Sequence, residues 1–275
     1  MKTDIVAEFY ETYPYPHVQK FSRERMERYA QPLLSAGKMT LNDLRGKTIL
    51  DAGCGTGEIA CSLATRAKKV IGIDASNASL ALARKNAQLF ELKNMDFVHE
   101  DLFSFKPAGK EKQFDMVTAF GVLHHTREAE KGFEHLSTFV KKDGIFFHGF
   151  YHAWGGFEQR AQKLLARIFG GNTPAQRLKW VEKNQQRKNN EKKELNASEK
   201  AFWADRIAHP RENYYSVPQV ARWFEENGFE IIGVQSHKPR WKVNDVKNPL
   251  DVLRFEIEIA LRRKRFVIIA GKKLN

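Results

Sequence analysis

The chain of 275 residues contains only two cysteines and no long apolar run. Cys54 and Cys61 lie seven positions apart, in a glycine-rich loop and the segment after it, which is the spacing of neither a disulfide framework nor a metal site. No apolar stretch reaches the roughly 18 residues of a membrane-spanning helix, and Met1-Lys2-Thr3-Asp4 has no signal-peptide core. We therefore expect a cytoplasmic protein without membrane insertion.

The sequence also lacks the spaced histidine motifs of metal enzymes. It contains neither His-x-x-His nor His-Glu-x-x-His, so we expect no metal site. No internal repeat is visible, and no pattern indicates an oligomeric state.

Acidic residues are too few to balance the basic ones, and the excess is unevenly distributed. The net charge is +13, from 46 Lys and Arg against 33 Asp and Glu. Residues 154–200 carry 11 basic and 5 acidic side chains, and residues 237–275 carry 11 and 4. These two segments account for the whole net charge, so the rest of the chain is neutral.

The most informative feature present is an apolar strand that runs into three closely spaced glycines. Thr48 to Leu50 is typical of the end of a buried parallel strand, and a helical pattern begins near Glu58. The turn between them contains Asp51, Gly53, Cys54, Gly55 and Gly57. Glycine lets the backbone approach a ligand that a Cβ would push away. A dinucleotide fingerprint would need Gly or Ala at position 58, where Glu58 stands.

This pattern resembles motif I of the Rossmann-like (class I) S-adenosylmethionine (SAM) methyltransferases. A pyrophosphate favours a helix N-terminus without carboxylates nearby, whereas SAM carries an ammonium and a sulfonium, so Asp51 and Glu58 suit SAM. The resemblance implies that the cofactor is bound by Asp51, Gly53, Cys54, Gly55 and Gly57.

Three later segments extend the resemblance, because each is an apolar strand at the expected spacing. They cover residues 70–74, 97–102 and 114–125, and the first ends in an acid 23 residues beyond Asp51. The resemblance implies that Asp74 and Ala75 bind the ribose, that Asp101 and Leu102 contact the adenine, and that Phe120 lies near the transferred methyl group.

The order of patterns predicts an α/β fold, namely a Rossmann-like, seven-stranded, mostly parallel sheet with helices on both faces and a helical cap insertion. Predicted strands are 48–53, 70–74, 95–100, 114–120, 145–150, 230–236 and 265–271, and the family pairs the last two antiparallel at one edge. Predicted helices are 57–67, 76–92, 127–141 with Thr126 as N-cap, 216–228 and 249–264.

We divide the chain into four parts. Residues 1–46 form an N-terminal aromatic arm and helix, 47–151 the SAM-binding core, 152–215 the helical cap, and 216–275 the C-terminal completion of the core with an inserted helix. Within the cap, residues 184–196 fit a helical or a disordered segment equally well.

The chain also resembles an uncharacterised subgroup of this family. Its features are Tyr-Pro-Tyr-Pro at residues 13–16, Gly-Val-Leu-His-His at 121–125 and His-Pro-x-Glu at 209–212. The two prolines predict an extended arm. We expect this arm to fold over the cofactor pocket, with Tyr13 on the cofactor and Tyr15 on the substrate; alternatively, it only covers an apolar surface.

Methyl transfer is an in-line displacement, so the enzyme aligns a nucleophile and, where that nucleophile is protonated, removes the proton. His124 and His125 follow the fourth strand, at the sheet edge that lines ligand sites, and Tyr151 follows the fifth. These three are the catalytic candidates, although the histidine pair also suits a packing role beside the cofactor. Candidate substrate residues are His148, His152, His209, Arg211 and Tyr215, with Asp205 and Tyr214 close to them in sequence.

The acceptor is left open between two classes. A small or medium-sized polar metabolite is favoured, because the Leu-His-His segment resembles that of quinone and sterol methyltransferases and a large cap usually encloses a discrete molecule. RNA, above all tRNA, is the alternative, because Trp180, Trp203 and Trp241 stand among basic residues and could stack on bases. A third interpretation is a non-catalytic SAM-binding module that docks a partner.

Overall fold

The computed structural model describes residues 4–14, 22–108, 112–189, 194–237, 242–243, 245–262 and 264–275. Its helices are α1 (Ile5–Thr12), α2 (Arg23–Tyr29), α3 (Gln31–Ala36), α4 (Glu58–Ala64), α5 (Asn77–Leu89), α6 (Ala129–Ser137), α7 (Phe157–Leu165), α8 (Pro174–Asn189), α9 (Ala197–Trp203), α10 (Val217–Glu226) and α11 (Pro249–Leu261). Its strands are β1 (Thr48–Ala52), β2 (Lys69–Asp74), β3 (Met95–His99), β4 (Phe114–Phe120), β5 (Val140–Tyr151), β6 (Phe229–Ser236) and β7 (Phe266–Lys273).

The strands form one seven-stranded sheet in the order β3-β2-β1-β4-β5-β7-β6. Strands β1 to β5 pair in parallel, and β7 pairs antiparallel with both β5 and β6. The predicted fold class and the antiparallel pairing of the last two strands are confirmed. Because the order reverses between β1 and β4, the carboxyl ends of these strands open a crevice, where open α/β sheets bind ligands.

Alternating apolar side chains of the central strands fill two cores, one on each face of the sheet. Leu50 and Val117 point to the face covered by α6, α10 and α11. Ile49 and Met116 point to the other face, which α3, α4 and α5 cover. Strands buried on both faces explain why β1 and β4 are almost continuously apolar in sequence.

The helices predicted over 57–67, 76–92 and 249–264 each end three residues early, and the largest boundary error lies between the third predicted helix and the fifth strand. The helix expected over 127–141 ends at Ser137, and Lys141 to Gly144, expected as its terminus, lie within β5. The sheet begins early because the Phe114 amide donates a hydrogen bond to the Phe139 carbonyl. A bulge follows, with Asp143 at φ 61°, before the regular register resumes. Thr126 is not the N-cap of α6, because its hydroxyl donates to the Leu123 carbonyl instead.

The cap insertion is helical. Helices α7 and α9 each continue into a wider π-type turn, Ala166–Gly170 and Ala204–Ala208 respectively. Helix α8 extends to Asn189, which favours the helical reading over the disordered one for the start of the ambiguous stretch, while residues 190–193 lie outside the described chain. A small apolar core, including Val181 and Ile207, holds the cap helices together.

The described start of the N-terminal arm is helical over Ile5–Thr12 and not extended as predicted, while residues 15–21 lie outside the described chain. Helix α1 contains Phe9 and Tyr10 and ends at Thr12, before Pro14, because a proline disfavours helix in the residue ahead of it. The Asp4 side chain caps this helix by accepting from the Val6 amide. Helix α1 packs against α5 and the cap.

Across the described parts of the chain, every helix is too short or too polar to cross a bilayer.

Phe133 of α6 provides a test of the core. Its fully buried ring stacks on Phe146 at 4.6 Å and meets Phe224 edge-on at 4.7 Å. We expect Phe133→Ala to lower the free energy of unfolding by about 3–5 kcal/mol, because it leaves a cavity that the sheet cannot close. Urea unfolding measures the change. The exposed Leu89→Ala serves as control, with an expected change within about 0.5 kcal/mol; equal losses in both variants would contradict this packing.

Candidate active site

A cavity of about 430 Å³ lies at the carboxyl ends of β1, β2 and β4. Helix α1 and the cap contribute to its walls through Tyr10 and Asp205. Of the predicted site residues, the cavity is lined by Asp51, Gly53, Cys54, Gly55, Asp74, Ala75, Asp101, Leu102, Phe120, His125 and Tyr151. A cavity of this size suits a ligand the size of a cofactor or small metabolite.

In the glycine turn between β1 and α4, neighbouring residues lie so close to the backbone that they leave no room for a side chain. Gly53 has φ 67°, and a Cβ there would lie 2.4 Å from Val122. Gly57, at φ 83°, is the N-cap of α4, and a Cβ at this position would clash with Ala83. Gly57 therefore shapes the turn but does not line the cavity. Both positions therefore require glycine.

Carboxylates dominate the wall beside this turn. Asp51 is buried, its Oδ1 accepts a short hydrogen bond from the Thr118 hydroxyl, and its Oδ2 has no partner among the described residues. Burial, reinforced by the negative charges of Asp74 and Glu58, raises the pKa of Asp51 to about 7. This end of the cavity is therefore complementary to a cation.

Asp74, at the end of β2, is held in place by backbone amides. Its Oδ2 accepts from Gly55 at 2.8 Å and its Oδ1 from Ser76 at 2.9 Å. Burial raises the pKa of Asp74, and these two amides counteract the rise. The carboxylate thus has a fixed orientation toward the cavity, with lone pairs remaining for a ligand hydroxyl.

The loop after β3 supplies a further acidic segment of the wall. Asp101 is an exposed side chain whose Oδ1 accepts from the Phe103 amide at 2.8 Å. Glu100, Leu102 and Phe103 line the cavity beside it. The apolar side chains of Leu102 and Phe103 offer a surface for a flat ring, and Asp101 and Glu100 offer acceptors.

His125, in the loop after β4, also lines the cavity. Its Nδ1 lies 2.8 Å from the Arg211 carbonyl, which can only accept, so Nδ1 carries the proton and Nε2 keeps its lone pair. Burial lowers the pKa of His125, although Glu212 and Asp205 oppose this effect. The ring is therefore neutral near pH 7 and able to accept a proton.

Tyr151 and Arg265 form the wall next to His125. The Arg265 guanidinium lies 3.7 Å from the centre of the Tyr151 ring and donates a short hydrogen bond to the Tyr151 hydroxyl. Arg265 also lies 4.0 Å from Glu212, which is ion-paired with Lys163. Lys163 and Arg265 therefore share the Glu212 carboxylate, and Asp205 is a second acidic group at this end of the cavity.

The segment 209–215 is bonded to the loop that carries His125. The Asn213 amide donates to the His124 carbonyl, and its side-chain amide donates to the Thr126 carbonyl, both at 2.8 Å. Arg211 donates to the Asp4 carboxylate at 2.9 Å, and the Tyr10 hydroxyl donates to Asp205 at 3.1 Å. Helix α1 and the cap are thereby joined across the cavity.

Several predicted site residues lie away from the cavity wall. His124 is fully buried between His125 and Tyr151, and neither of its ring nitrogens has a hydrogen-bond partner among the described residues. His148 is buried beside Trp223, and burial lowers its pKa to about 4. His152 bonds Glu256 of α11.

The remaining predicted residues connect the cap to its surroundings. His209 packs on the His125 ring at 3.9 Å, and Arg211 pairs with Asp4 as described. Tyr215 meets Trp223 edge-on. Tyr13 packs against Phe9 under the cap, so Tyr10 and not Tyr13 reaches the cavity. Tyr15 lies outside the described residues.

His125, His209 and Glu212 bring three potential metal-ligand atoms within 4.8 Å of one another. The donor chemistry opposes a cation there. The Arg211 amide donates to Nδ1 of His209, which leaves the proton of the neutral ring on Nε2, and Lys163 pairs with Glu212. The absence of a metal site stays a prediction.

Sequence patterns did not single out some residues that the fold brings to the cavity. Tyr29, Arg265, His237 and Phe266 line it. Arg265 precedes the last strand, 114 positions after Tyr151, and no local motif marks that pairing. The antiparallel pairing of β5 with β7 creates it, because Tyr151 is opposite Phe266 in the register.

The sequence matches the family profile of a methyltransferase domain over residues 43–214. An uncharacterised protein of Synechococcus is 26% identical over 80% of this chain, and this chain spans 56% of that protein's length. The ubiquinone biosynthesis O-methyltransferase of Pasteurella multocida is 27% identical, over 52% of this chain and 67% of its own. That of Acinetobacter baumannii is 35% identical over 38% of this chain and 44% of its own.

Solved structures with the same fold include the magnesium protoporphyrin IX methyltransferase of Synechocystis PCC 6803 with bound S-adenosylhomocysteine. Its TM-score is 0.57 at 17% identity, over 97% of this chain and 91% of its own. A second is PKMT2 of Rickettsia typhi, with TM-score 0.61 at 15% identity, over 90% of this chain and 52% of its own. Both likenesses concern the fold.

The raised pKa of Asp51 gives a pH-dependent stability. Its folded value of about 7 exceeds the ordinary 3.8, so between these values the folded protein holds a proton that the unfolded chain releases. The contribution of this proton to the free energy of unfolding is fully present below pH 4. It decreases as pH rises to 7, by ~1.4 kcal/mol per pH unit at most.

We therefore expect wild type to lose stability relative to Asp51→Asn as pH rises from 4 to 8, in protein without added ligand. Urea unfolding of both proteins across this range measures the difference, and the variant pair cancels the titration of other groups. Parallel stability profiles would show that Asp51 keeps an ordinary pKa.

Proposed function

We propose that this chain, which belongs to the methyltransferase-domain family, is a SAM-dependent methyltransferase that transfers the methyl group to a small or medium-sized polar metabolite with an ionisable proton. The observation that carries this proposal is the cavity of about 430 Å³ that runs from the glycine turn to His125 under the cap. Volume of this order accommodates discrete molecules.

The acidic end of the cavity fits SAM. The unpartnered Oδ2 of buried Asp51 and the glycine turn offer a carboxylate and an open backbone path to a cationic ligand. In this proposal Asp51 and Gly53 to Gly55 hold the methionine part, Asp74 the ribose, and Leu102 with Phe103 the adenine ring. When bound, SAM supplies an electrophilic methyl group on a sulfonium.

The other end binds the acceptor and removes its proton. His125 is the general base, because this residue lines the cavity and the Arg211 carbonyl fixes the tautomer that leaves a lone pair on Nε2. Tyr151 positions the acceptor and Arg265 balances negative charge that develops on it. Asp205 and Tyr10 close this end of the cavity.

The RNA alternative receives less support from the aromatic residues. Trp180 and Trp203 pack against the cap core beside Val181 and Ile207, so their rings contribute to the cap interior. Trp241 lies outside the described residues. Because of the basic segments, RNA is the competing acceptor. The non-catalytic SAM-binding module is the third interpretation.

Incubation with methyl-labelled SAM and separated fractions of a host extract tests the acceptor class. We expect label in the small-molecule fraction, and none with Asp51→Asn, which keeps the fold but loses the carboxylate that faces the cofactor cation. Label that appears in RNA and vanishes after nuclease treatment would overturn the metabolite proposal. Tight SAM binding without label in any fraction would favour the partner module.

The role of His125 is tested by His125→Asn. We expect kcat to fall by about 10²- to 10⁴-fold with unchanged SAM affinity, because His125 is not among the residues proposed to hold SAM. Since the base must be unprotonated and its pKa is lowered, wild-type kcat should decline only below about pH 6.5, and the variant should lose this limb.

His135→Asn is the matched control. His135 forms a hydrogen bond with the Phe105 carbonyl outside the cavity, so this variant should retain the wild-type kcat. An unchanged kcat in His125→Asn would exclude His125 as the general base. The proposed class of acceptor would then be decided by the fractionation experiment alone.

A further inference from the structure

Three aromatic rings meet on the cavity wall, and we call them the aromatic corner. Phe120, at the end of β4, and Phe266, at the start of β7, have ring centres 4.7 Å apart. The His237 ring lies 6.1 Å from Phe120 and 6.0 Å from Phe266. All three residues line the cavity, and the two phenylalanines are only partly buried. Proton removal by His125 requires none of these rings, so that chemistry leaves the corner unexplained.

Two glycines make room for the corner. Gly149 of β5 stands beside Phe120 in the register, and a Cβ on it would lie 2.7 Å from the Phe266 ring and 3.0 Å from the Phe120 ring. Gly121, at φ 81°, directly follows Phe120 and also lines the cavity. The absence of side chains at these two positions lets the rings lie close to the sheet edge.

The strand order separates Phe266 from the groups proposed to hold the adenosine part of SAM. Asp74 ends β2, and Leu102 and Phe103 follow β3. Strands β1, β4 and β5 lie between β2 and β7, so at ~4.8 Å per strand β7 is roughly 19 Å from β2. A ring bound at Leu102 and Phe103 therefore does not cover Phe266, which leaves the corner to the acceptor.

The corner adjoins the groups proposed to act on the acceptor. Phe266 meets the Tyr151 ring edge-on at 5.8 Å, and Tyr151 meets the His125 ring edge-on at 5.7 Å. Arg265, the residue before Phe266, donates a hydrogen bond to the Tyr151 hydroxyl. An apolar surface for a flat ring and polar groups for a hydroxyl are therefore neighbours in one wall.

The charges here favour an acceptor that is neutral until its proton leaves. Glu212 lies 4.0 Å from Arg265, and Asp205 lines the cavity. A carboxylate on the acceptor would face these two acids, whereas a neutral hydroxyl would not. A guanidinium has five N–H donors, and Arg265 already gives one to the phenol oxygen of Tyr151. The wall thus accommodates a phenol beside this cation.

We propose that the acceptor is a phenol, whose aromatic ring packs on the aromatic corner and whose hydroxyl is served by His125 and Arg265. This proposal rests on the proposed function and names its class of substrate. The phenol oxygen forms a bond to the methyl carbon as the sulfur–methyl bond breaks, and the electron pair of the broken bond stays on sulfur. The phenol proton passes to His125. Because its ring delocalises negative charge, a phenol releases this proton more readily than an aliphatic alcohol.

Binding of two matched alcohols tests the proposal without turnover. Naphthol is a flat phenol, whereas decahydronaphthol has the same carbon skeleton and hydroxyl without the flat ring. With S-adenosylhomocysteine present, we expect naphthol to bind at least about tenfold more tightly, as measured by calorimetry. Phe266→Leu should weaken naphthol binding about three- to tenfold, because leucine offers no ring face, and should leave S-adenosylhomocysteine affinity unchanged.

Phe97→Leu is the matched control, because Phe97 is partly buried in the same core as Phe266 but does not line the cavity. It should bind naphthol like wild type, and thermal unfolding should show both variants folded. Equal affinity for the two alcohols, no binding of naphthol, or equal losses in both variants would overturn the proposal.

The methylated atom gives a second test that separates the phenol from the wider metabolite proposal. The product formed from isotopically labelled SAM and the small-molecule fraction of a host extract is analysed by NMR, where the chemical shift of the methyl carbon identifies its neighbour. We expect a methyl group on an oxygen of an aromatic ring. A methyl group on nitrogen, carbon or an aliphatic oxygen would overturn the phenol and leave the metabolite proposal intact. The absence of any labelled small molecule would overturn both.

Discussion

The confinement of negative charge around the glycine turn is the constraint on which the site depends. Asp51 and Glu58 are buried, and Asp74 stands beside them at the end of the neighbouring strand. Like charges in a medium of low polarity raise one another's pKa values, and a bound cation relieves this repulsion. The parallel strands β1 and β2 hold these groups together because both end at the same sheet edge. The sheet therefore concentrates negative charge, which a ligand with a sulfonium and an ammonium group neutralises.

The second half of the site is made by segments far apart in the chain. The loop after β4 carries His125, and three hydrogen bonds join this loop to residues 211–213. Helix α1 and the cap then meet through Tyr10 and Asp205. The cofactor end belongs to the rigid sheet, whereas the proposed acceptor end depends on contacts with the cap. Such a division lets a common methyl donor serve different acceptors within one fold.

The fold and the cofactor end were predictable because their signals are local. The glycine turn, the acid that ends β2 and the loop after β3 each occupy a short stretch, and apolar strands alternate with helical patterns. The boundary between α6 and β5 was missed because a bulge at Asp143 and Gly144 resembles a helix terminus. Arg265 and Tyr29 were missed because only tertiary pairing brings them to the cavity. His148 and His152 were expected at the acceptor. Instead, His148 contacts the Ala119 carbonyl within the sheet and His152 contacts Glu256 of α11, because strand residues alternate between the two faces.

The hydrogen bond between His125 and residue 211 ends on a backbone carbonyl. Every residue type possesses that acceptor, so the orientation of the proposed base is inherited from the path of the chain and not from the identity of a side chain. During divergence, the cap around this point can therefore change its side chains, and with them the molecules it admits, while the imidazole keeps its tautomer. Relatives that share the path of residues 209–215 would then differ in acceptor more readily than in the chemistry of proton removal.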